Sequence, residues 1–239
     1  MTRLIGRFLV VLALAWAGST HSAHAALIQL DPETSGVLVT SFPGSRASHS
    51  RPLTSIRGYQ IAMARGVSYA SYLIFDTSSM AITAQSATLL LNVNDTLSPL
   101  AGPGPLELWG LDIYTPADLV TLPTGNLDSQ TSLAYAIASD LRSGTSLAPS
   151  VFGPDGVVGI ELNTAALGQI NAANGLWGFG LYDNRFGALL GGLELVSSPR
   201  LILSGEPIPP PNPIPIPATF PLVGLGLAAI ALGRRKPCG

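Results

Sequence analysis

One cysteine in 239 residues rules out any internal disulfide, and Cys238 stands next to the chain's end, so the body must be held together by its core. Lysine is equally scarce, with Lys236 the sole example, and histidine occurs only at positions 21, 24 and 49. Zinc sites and most hydrolytic triads draw on histidine and cysteine. Their scarcity removes most of that chemistry. No G-x-S-x-G, H-E-x-x-H or C-x-x-C pattern occurs, and the glycines form no phosphate loop ahead of a helix. Positive charge is short in the middle of the chain, where residues 26–217 hold all fourteen carboxylates against seven arginines, a formal charge of −7. Such a surface repels phosphate backbones, which excludes nucleic acid as a partner.

What is present begins with the two ends. Arg3 and Arg7 precede an apolar run from Phe8 to Ala17, and Ala23-His24-Ala25 follows as an A-x-A site. That order of charge, apolar run and small residues is a secretory signal peptide, residues 1–25, cleaved after Ala25 or one residue later. His49 is then the one histidine left in the exported chain.

Between Val37 and Leu203 the apolar residues recur mostly at period two, with turn residues between the runs, as half-buried strands require. In "SATLLLNVND" Ala87, Leu89, Leu91 and Val93 point one way, and Thr88, Leu90, Asn92 and Asn94 the other. "SYASYLIFDTSS" ends in an apolar run stopped by Asp76. "PLELWGLDIY" puts Trp109, Leu111 and Ile113 on one face, "GVVGIELN" does so with Val158, Ile160 and Leu162, and "LWGFGLY" with Trp177, Phe179 and Leu181. "PRLILS" supplies a short last strand. One helix interrupts the pattern in "NTAALGQINAANG", with Asn163 or Thr164 as its cap and Asn174-Gly175 as its stop. A second helical candidate, Ser132–Leu141, spaces Leu133, Ile137 and Leu141 four apart. The expected fold is all-β, a jelly-roll-like β-sandwich over residues 26–204 with one or two short helices, flanked by an N-terminal signal helix and a C-terminal transmembrane helix.

The succession "YLIFDTSS", "AQSATLLLNV", "LELWGL", "VGIELNTAAL", "GLWGFGLY", "PRLIL", from Tyr69 to Leu203, resembles the exported β-sandwich modules called DNRLRE-like. In those a strand ending in F-D precedes an A-T-L-x-L strand and a P-x-L strand closes the sheet. Arg51 to Arg65 matches no such pattern.

The tail has three parts. "PIPPPNPIPIP" lacks the amide donors that helices and central strands need, so residues 205–217 read as an extended polyproline spacer. Residues 218–239 follow with an uncharged stretch, Ala218–Gly233, of 16 residues, short against the roughly 20 of a free-standing span. Arg234, Arg235 and Lys236 then form a basic stop, which keeps this end on the cytoplasmic side and the body outside. Proline motif, apolar helix and basic cluster in that order resemble the PEP-CTERM class of bacterial sorting signals, in its V-P-L-P-A variant. Pro213-Ile214-Pro215-Ile216-Pro217-Ala218 stands at the motif, with isoleucine in place of valine and leucine. The resemblance implies an exosortase-type membrane protease as partner, membrane attachment through the C-terminal helix before processing, and delivery to the cell surface or extracellular matrix. A plain transmembrane anchor is the competing reading.

For the body itself the sequence leaves three classes open: a non-enzymatic structural protein of the envelope or an exopolysaccharide matrix, a carbohydrate-binding module, and a polysaccharide hydrolase. No catalytic residue is assigned. His49, in "PGSRASHSRP", reads as a surface histidine among loop serines, and Glu107, Asp112 and Glu161 as solvent-facing charge. Trp109 and Trp177 fall on the side assigned to the core, so they pack rather than hold sugar rings. No cofactor is expected. Asn94, Asp95 and Asp183 place oxygen atoms at strand ends, where a hard cation such as calcium could sit, or where they serve as ordinary turn residues.

Overall fold

A computed structural model describes residues 25–42, 46–57, 59–62, 65–94, 105–152, 156–183 and 193–209. Chain contacts separate residues up to Pro207 from Ile208–Gly239, and the architecture that follows belongs to the first unit. Among the described residues no helix is long and apolar enough to cross a membrane. Residues 1–24 of the segment read as a signal peptide, and residues 218–239, lie outside them.

Two antiparallel sheets account for more than half of the described residues. The first takes β1 (Ala26–Leu30), β13 (Leu193–Pro207), β7 (Ile82–Asn94) and β11 (Gly156–Glu161) in that order, with the short β4 (Ser55–Ile56) also on β13. The second runs β10 (Val151–Phe152), β8 (Pro105–Gly110), β12 (Leu176–Asp183), β6 (Arg65–Asp76), β2 (Pro32–Phe42), β3 (Ala47–Ser50) and β9 (Gly125–Asn126), with β5 (Tyr59–Ala62) on β6. Every pairing is antiparallel.

The core between the sheets is built by alternation. Leu89, Leu91 and Val93 of β7, Val158 and Ile160 of β11, and Leu201 and Leu203 of β13 meet Leu73 and Phe75 of β6, Leu106 and Leu108 of β8, and Trp177, Phe179 and Leu181 of β12. Alternation in β7 slips once. Both Ala84 and Ala87 are buried because the register against β13 jumps from Ser86 to Ala84 while β13 advances by one, a bulge at Gln85.

A third layer covers the second sheet. Helix α1 (Pro116–Thr121), a 3-10 turn (Asp128–Gln130) and α2 (Thr131–Ser143) pack on its far face, where Leu38, Ala70, Tyr72 and Ile74 meet Leu119, Leu122, Ala134, Ile137, Ala138 and Leu141. This explains the unbroken run "YLIF": β6 is buried on both faces, so apolar residues occupy both parities. Gly180 of β12 brings α2 close, since a Cβ there would overlap the carbonyl oxygen of Leu141. Helix α3 (Thr164–Ala172) instead closes the main core with Ala166 and Ile170, capped by Asn163, whose side chain accepts from the Ala166 amide at 3.1 Å.

Three sequence expectations are corrected. The strand read in "PLELWGLDIY" stops at Gly110 and turns Leu106 and Leu108 inward, leaving Trp109 half-buried and Ile113 77% exposed. Either parity of that stretch is amphipathic, and the backbone amides of residues 112–114 are drawn out of the strand by Asp140. The last strand is longer than "PRLILS", starting at Leu193 and continuing past 204 to Pro207. In α2 the inward stripe is Ala134, Ile137, Ala138 and Leu141, while Leu133 is exposed. The sequence also missed α1, whose signal was present: Thr115 and Asp118 form a reciprocal capping box around Pro116 at the first turn.

Candidate functional site

The chain leaves the first sheet after Leu30 and enters the second at Pro32, and a cleft of about 820 Å³ opens at this crossover. Asp31 to Ser35 form one wall, Arg51 to Thr54 the floor, and Leu195 with Ser197 to Arg200 the other wall. Its irregular shape has a local cause. Proline cannot donate to a ladder, and Pro32 and Pro199 both sit where register breaks, between Pro32 and Thr34 in β2 and between Ser197 and Arg200 in β13. A further shift follows Leu195. The floor is tied to both walls: the Leu53 amide donates to Ser35 Oγ at 3.1 Å, and the Leu195 amide to the Thr54 carbonyl at 2.9 Å. At the mouth Arg200 Nε lies 3.8 Å from Asp31 Oδ1, a solvent-screened pair with side chains 56% and 72% exposed.

Behind the floor lies a buried polar chain. Arg51 reaches past the cleft to α1, where its guanidinium donates to the carbonyls of Leu119, Val120 (3.0 Å) and Leu122 (3.2 Å). A cation at a helix C-terminus satisfies orphan carbonyls and complements the helix dipole. Arg51 Nε also donates to the Tyr72 hydroxyl oxygen at 2.9 Å, and that hydroxyl lies 2.7 Å from His49 Nε2. Nδ1 of His49 is 3.0 Å from the Pro123 carbonyl, which can only accept, so the proton sits on Nδ1. Nε2 then accepts from Tyr72. Each donor meets one acceptor, from Arg51 through Tyr72 and His49 to Pro123. Gly36 makes room for it, because a Cβ there would come within 2.5 Å of the Tyr72 oxygen.

His49 is thus a buried strand residue, 2% exposed, and the expected surface histidine is corrected. Tyr72, across the sheet, holds it inward. Burial lowers its pKa below the ordinary value; the Pro123 hydrogen bond opposes this, and the Arg51 charge adds to it. Burial likewise raises the Tyr72 pKa, against the Arg51 hydrogen bond. With both ring nitrogens engaged, the imidazole offers no lone pair to a bound molecule. What the cleft presents is hydroxyls from Thr34, Thr54, Ser197 and Ser198, carboxylates of Asp31 and Glu33, and the Arg200 guanidinium. These are groups for hydrogen bonding and ion pairing.

A second organising carboxylate lies elsewhere. Asp140 of α2, buried, accepts from the amides of Asp112 (3.2 Å), Ile113 (3.1 Å) and Tyr114 (2.9 Å) and so shapes the loop before α1.

The residues singled out from the sequence are scattered. Ala25 is exposed, immediately before β1. Ala23, Pro213 to Ala218, Arg234, Arg235, Lys236, Asp95 and the side chain of Asp183 lie outside the described residues. Asn94 ends β7 half-buried, opposite Glu194. Asp183 ends β12, in the other sheet. Among the described residues no three His, Cys, Asp or Glu side chains group as metal ligands. Glu107 and Glu161 belong to different sheets, Glu161 accepting from Thr88 Oγ1 at 2.8 Å, and the exposed Asp112 accepts from Thr145 Oγ1 at 3.2 Å. Trp177 is buried in the main core beside Phe75 and Phe179. Sequence reasoning did not reach Arg51 and Tyr72, because their partners are far away along the chain.

No protein-family model matches this chain, and no curated protein matches it.

Proposed function

We propose that this chain is an exported bacterial protein of the cell surface or extracellular matrix, with a non-enzymatic structural role, sorted through its C-terminal segment by an exosortase-type protease. One observation supports the reading most. Among the described residues the strands begin at Ala26, directly after the A-x-A site, and end at Pro207, where the proline ladder starts, with Ala26 paired to Gly205. Cuts at the two processing signals would spare every strand among the described residues. The uncommitted polar surface of the cleft and the engagement of His49 in the core fit a display role rather than turnover.

The finer fold we infer is a jelly roll. Setting aside β2 to β5 and β9 as an insertion, the sheets reduce to β1-β13-β7-β11 and β6-β12-β8-β10. Numbered afresh, these are strands 1-8-3-6 and 2-7-4-5, two interleaved Greek keys. That order supports the likeness to exported sandwich modules.

Intact mass of the protein from its native host tests the sorting reading. A C-terminus between Pro213 and Ala218 that depends on the host's sorting protease is the expected result. A mature form that keeps Arg234 to Gly239 with and without the protease would make the tail a plain anchor.

A second reading, a carbohydrate-binding module, draws on the hydroxyl-lined cleft. Against it, no strand of the first sheet contains an aromatic residue, so that open face has no stacking platform for sugar rings. Retention on insoluble polysaccharide, lost in Arg200→Ala or Asp31→Ala, would favour this second reading.

A further inference from the structure

The two sheets differ in width, and this makes their borders unequal. Beyond β6 the second sheet continues through β2, β3 and β9, so the border of the first sheet at β1 faces an overhang. A copy added at β1 would run into it. The opposite border is flush. β4, which flanks β13 on the same side as β1, packs on β6 and β12. Counting strands from there sets β11 over β10, and only residues 153–155 join these two.

At this border β11 is an open edge. Among the described residues it pairs on one side only, with β7. The edge strands of the second sheet, β9 and β10, have two residues each, and very short strands are one way proteins blunt an edge. β11 has six, without lysine or proline, and its one charged residue, Glu161, accepts from Thr88 Oγ1 of its own sheet. The Leu162 amide donates to the Ala87 carbonyl at 2.9 Å, so along this strand the even-numbered residues bond to β7. Val157 and Gly159 therefore aim N–H and C=O out of the edge. Val157 also holds its side chain in solvent, 71% exposed.

The geometry points to a two-fold dimer in which β11 pairs antiparallel with β11 of a second copy. Val158 and Ile160 face the main core in each copy and must stay inward, which limits the register. With Val158 on the axis, Val157 stands opposite Gly159 of the second copy and exchanges both backbone hydrogen bonds with it. Gly159 has no side chain, and Leu90 Cδ2 and Thr88 Cγ2 each lie 3.6 Å from where its Cβ would be, an apolar seat for the facing valine. Placing Gly159 on the axis instead sets Val157 against Glu161. That register also carries the pairing toward Asn163, whose amide already donates to the Leu147 carbonyl at 2.8 Å. The partner is a second copy because one strand supplies both the valine and its seat. β10 then lies beside its own mate, and the two overhangs are at the far borders. An isologous contact of this kind closes at two copies. The dimer goes beyond the surface role proposed above, and a monomeric protein would overturn it while leaving the sorting reading, tested by mass, untouched.

The test uses the full chain with Cys238→Ala, exported with its own signal peptide and kept in mild detergent so that the tail does not drive association. Hydrogen-bonded partners in an antiparallel pair have Cα atoms about 5.5 Å apart, within disulfide reach. A tagged chain with Val157→Cys, mixed with an untagged chain with Gly159→Cys, should give a mixed cross-linked dimer on a non-reducing gel. Val157→Cys alone, roughly 7 Å out of register along the strand, should not, and neither should Gly159→Cys mixed with Leu27→Cys on the opposite border. In sedimentation velocity the chain without added cysteines should pass from monomer to dimer as concentration rises and stop there, and Val157→Lys should stay monomeric. A monomer at every concentration, growth past dimer, a dimer without the mixed cross-link, equal cross-linking in the controls, or a dimer unchanged by Val157→Lys would each overturn the proposal.

Discussion

The hydroxyl of Tyr72 lies 2.7 Å from Nε2 of His49 and donates to it while accepting from Arg51 Nε at 2.9 Å. One oxygen thereby joins a strand of the second sheet to the segment that holds down α1. Tyr72→Phe keeps the ring packing but leaves a buried imidazole nitrogen and a guanidinium N–H without partners. Unsatisfied buried polar groups cost about 1–3 kcal/mol. We expect a loss of that size in urea unfolding, and a change within error would show that the chain of hydrogen bonds carries no net stability.

Acid should weaken the same cluster. Burial holds the folded-state pKa of His49 below its ordinary 6.5, so between the two values the unfolded chain binds a proton that the folded chain refuses. Its stabilising effect is complete above about 6.5 and is lost as pH falls toward the folded-state value. The denaturation midpoint should drop from pH 8 to pH 5, and drop less in His49→Gln. Parallel decline in both proteins would assign the effect to other groups; Asp76 and Asp118, whose hydrogen bonds to Ser78 and Thr115 hold their pKa values below the ordinary 3.8, add a loss only as pH falls below that value.

Asp140→Asn tests the loop before α1. An amide offers one acceptor oxygen where the carboxylate offered two, and its NH₂ meets the amide donors of residues 112–114. Hydrogen bonds to a charged group are worth roughly 1.5–3 kcal/mol. Faster hydrogen exchange at Ile113 and Tyr114 should accompany a loss in that range. Unchanged protection would mean the loop is held by its other contacts.

Gly180→Ala should push α2 off the second sheet, since the new Cβ meets the Leu141 carbonyl. Overpacking of this kind costs about 1–3 kcal/mol. Gly159→Ala, where the nearest atoms are 3.6 Å away, should fall within about 0.5 kcal/mol of the parent. Equal melting temperatures for the two variants would contradict the close approach of helix and sheet.

How far the sequence could be read differs from one element to the next. Alternation in β7, β11 and β12 assigned their main-core sides correctly, as Leu89, Ile160 and Phe179 show, because one parity carries the bulky apolar side chains while the other is mostly polar in β7 and holds Gly178 and Gly180 in β12. In β8 alternation alone was ambiguous. Leu106 and Leu108 alternate as well as Trp109 and Leu111 do, and the heavier aromatic suggested the wrong face. The Asn163 cap was legible because caps are local, and so was the Thr115 capping box, which went unread.

The sequence by itself determined the acidic charge and the strand periodicity, the second carried by neighbouring residues that act on one another through short-range geometry. Tertiary structure alone decided that β6 is covered on both faces, that His49 is buried, and that a cleft opens between β2 and β13. His49 finds Tyr72 across 23 positions and Arg51 finds the Leu119 carbonyl across 68. Hydrogen bonds over such separations arise from how the sheets and helices stack, and they leave no periodic trace in the order of residues.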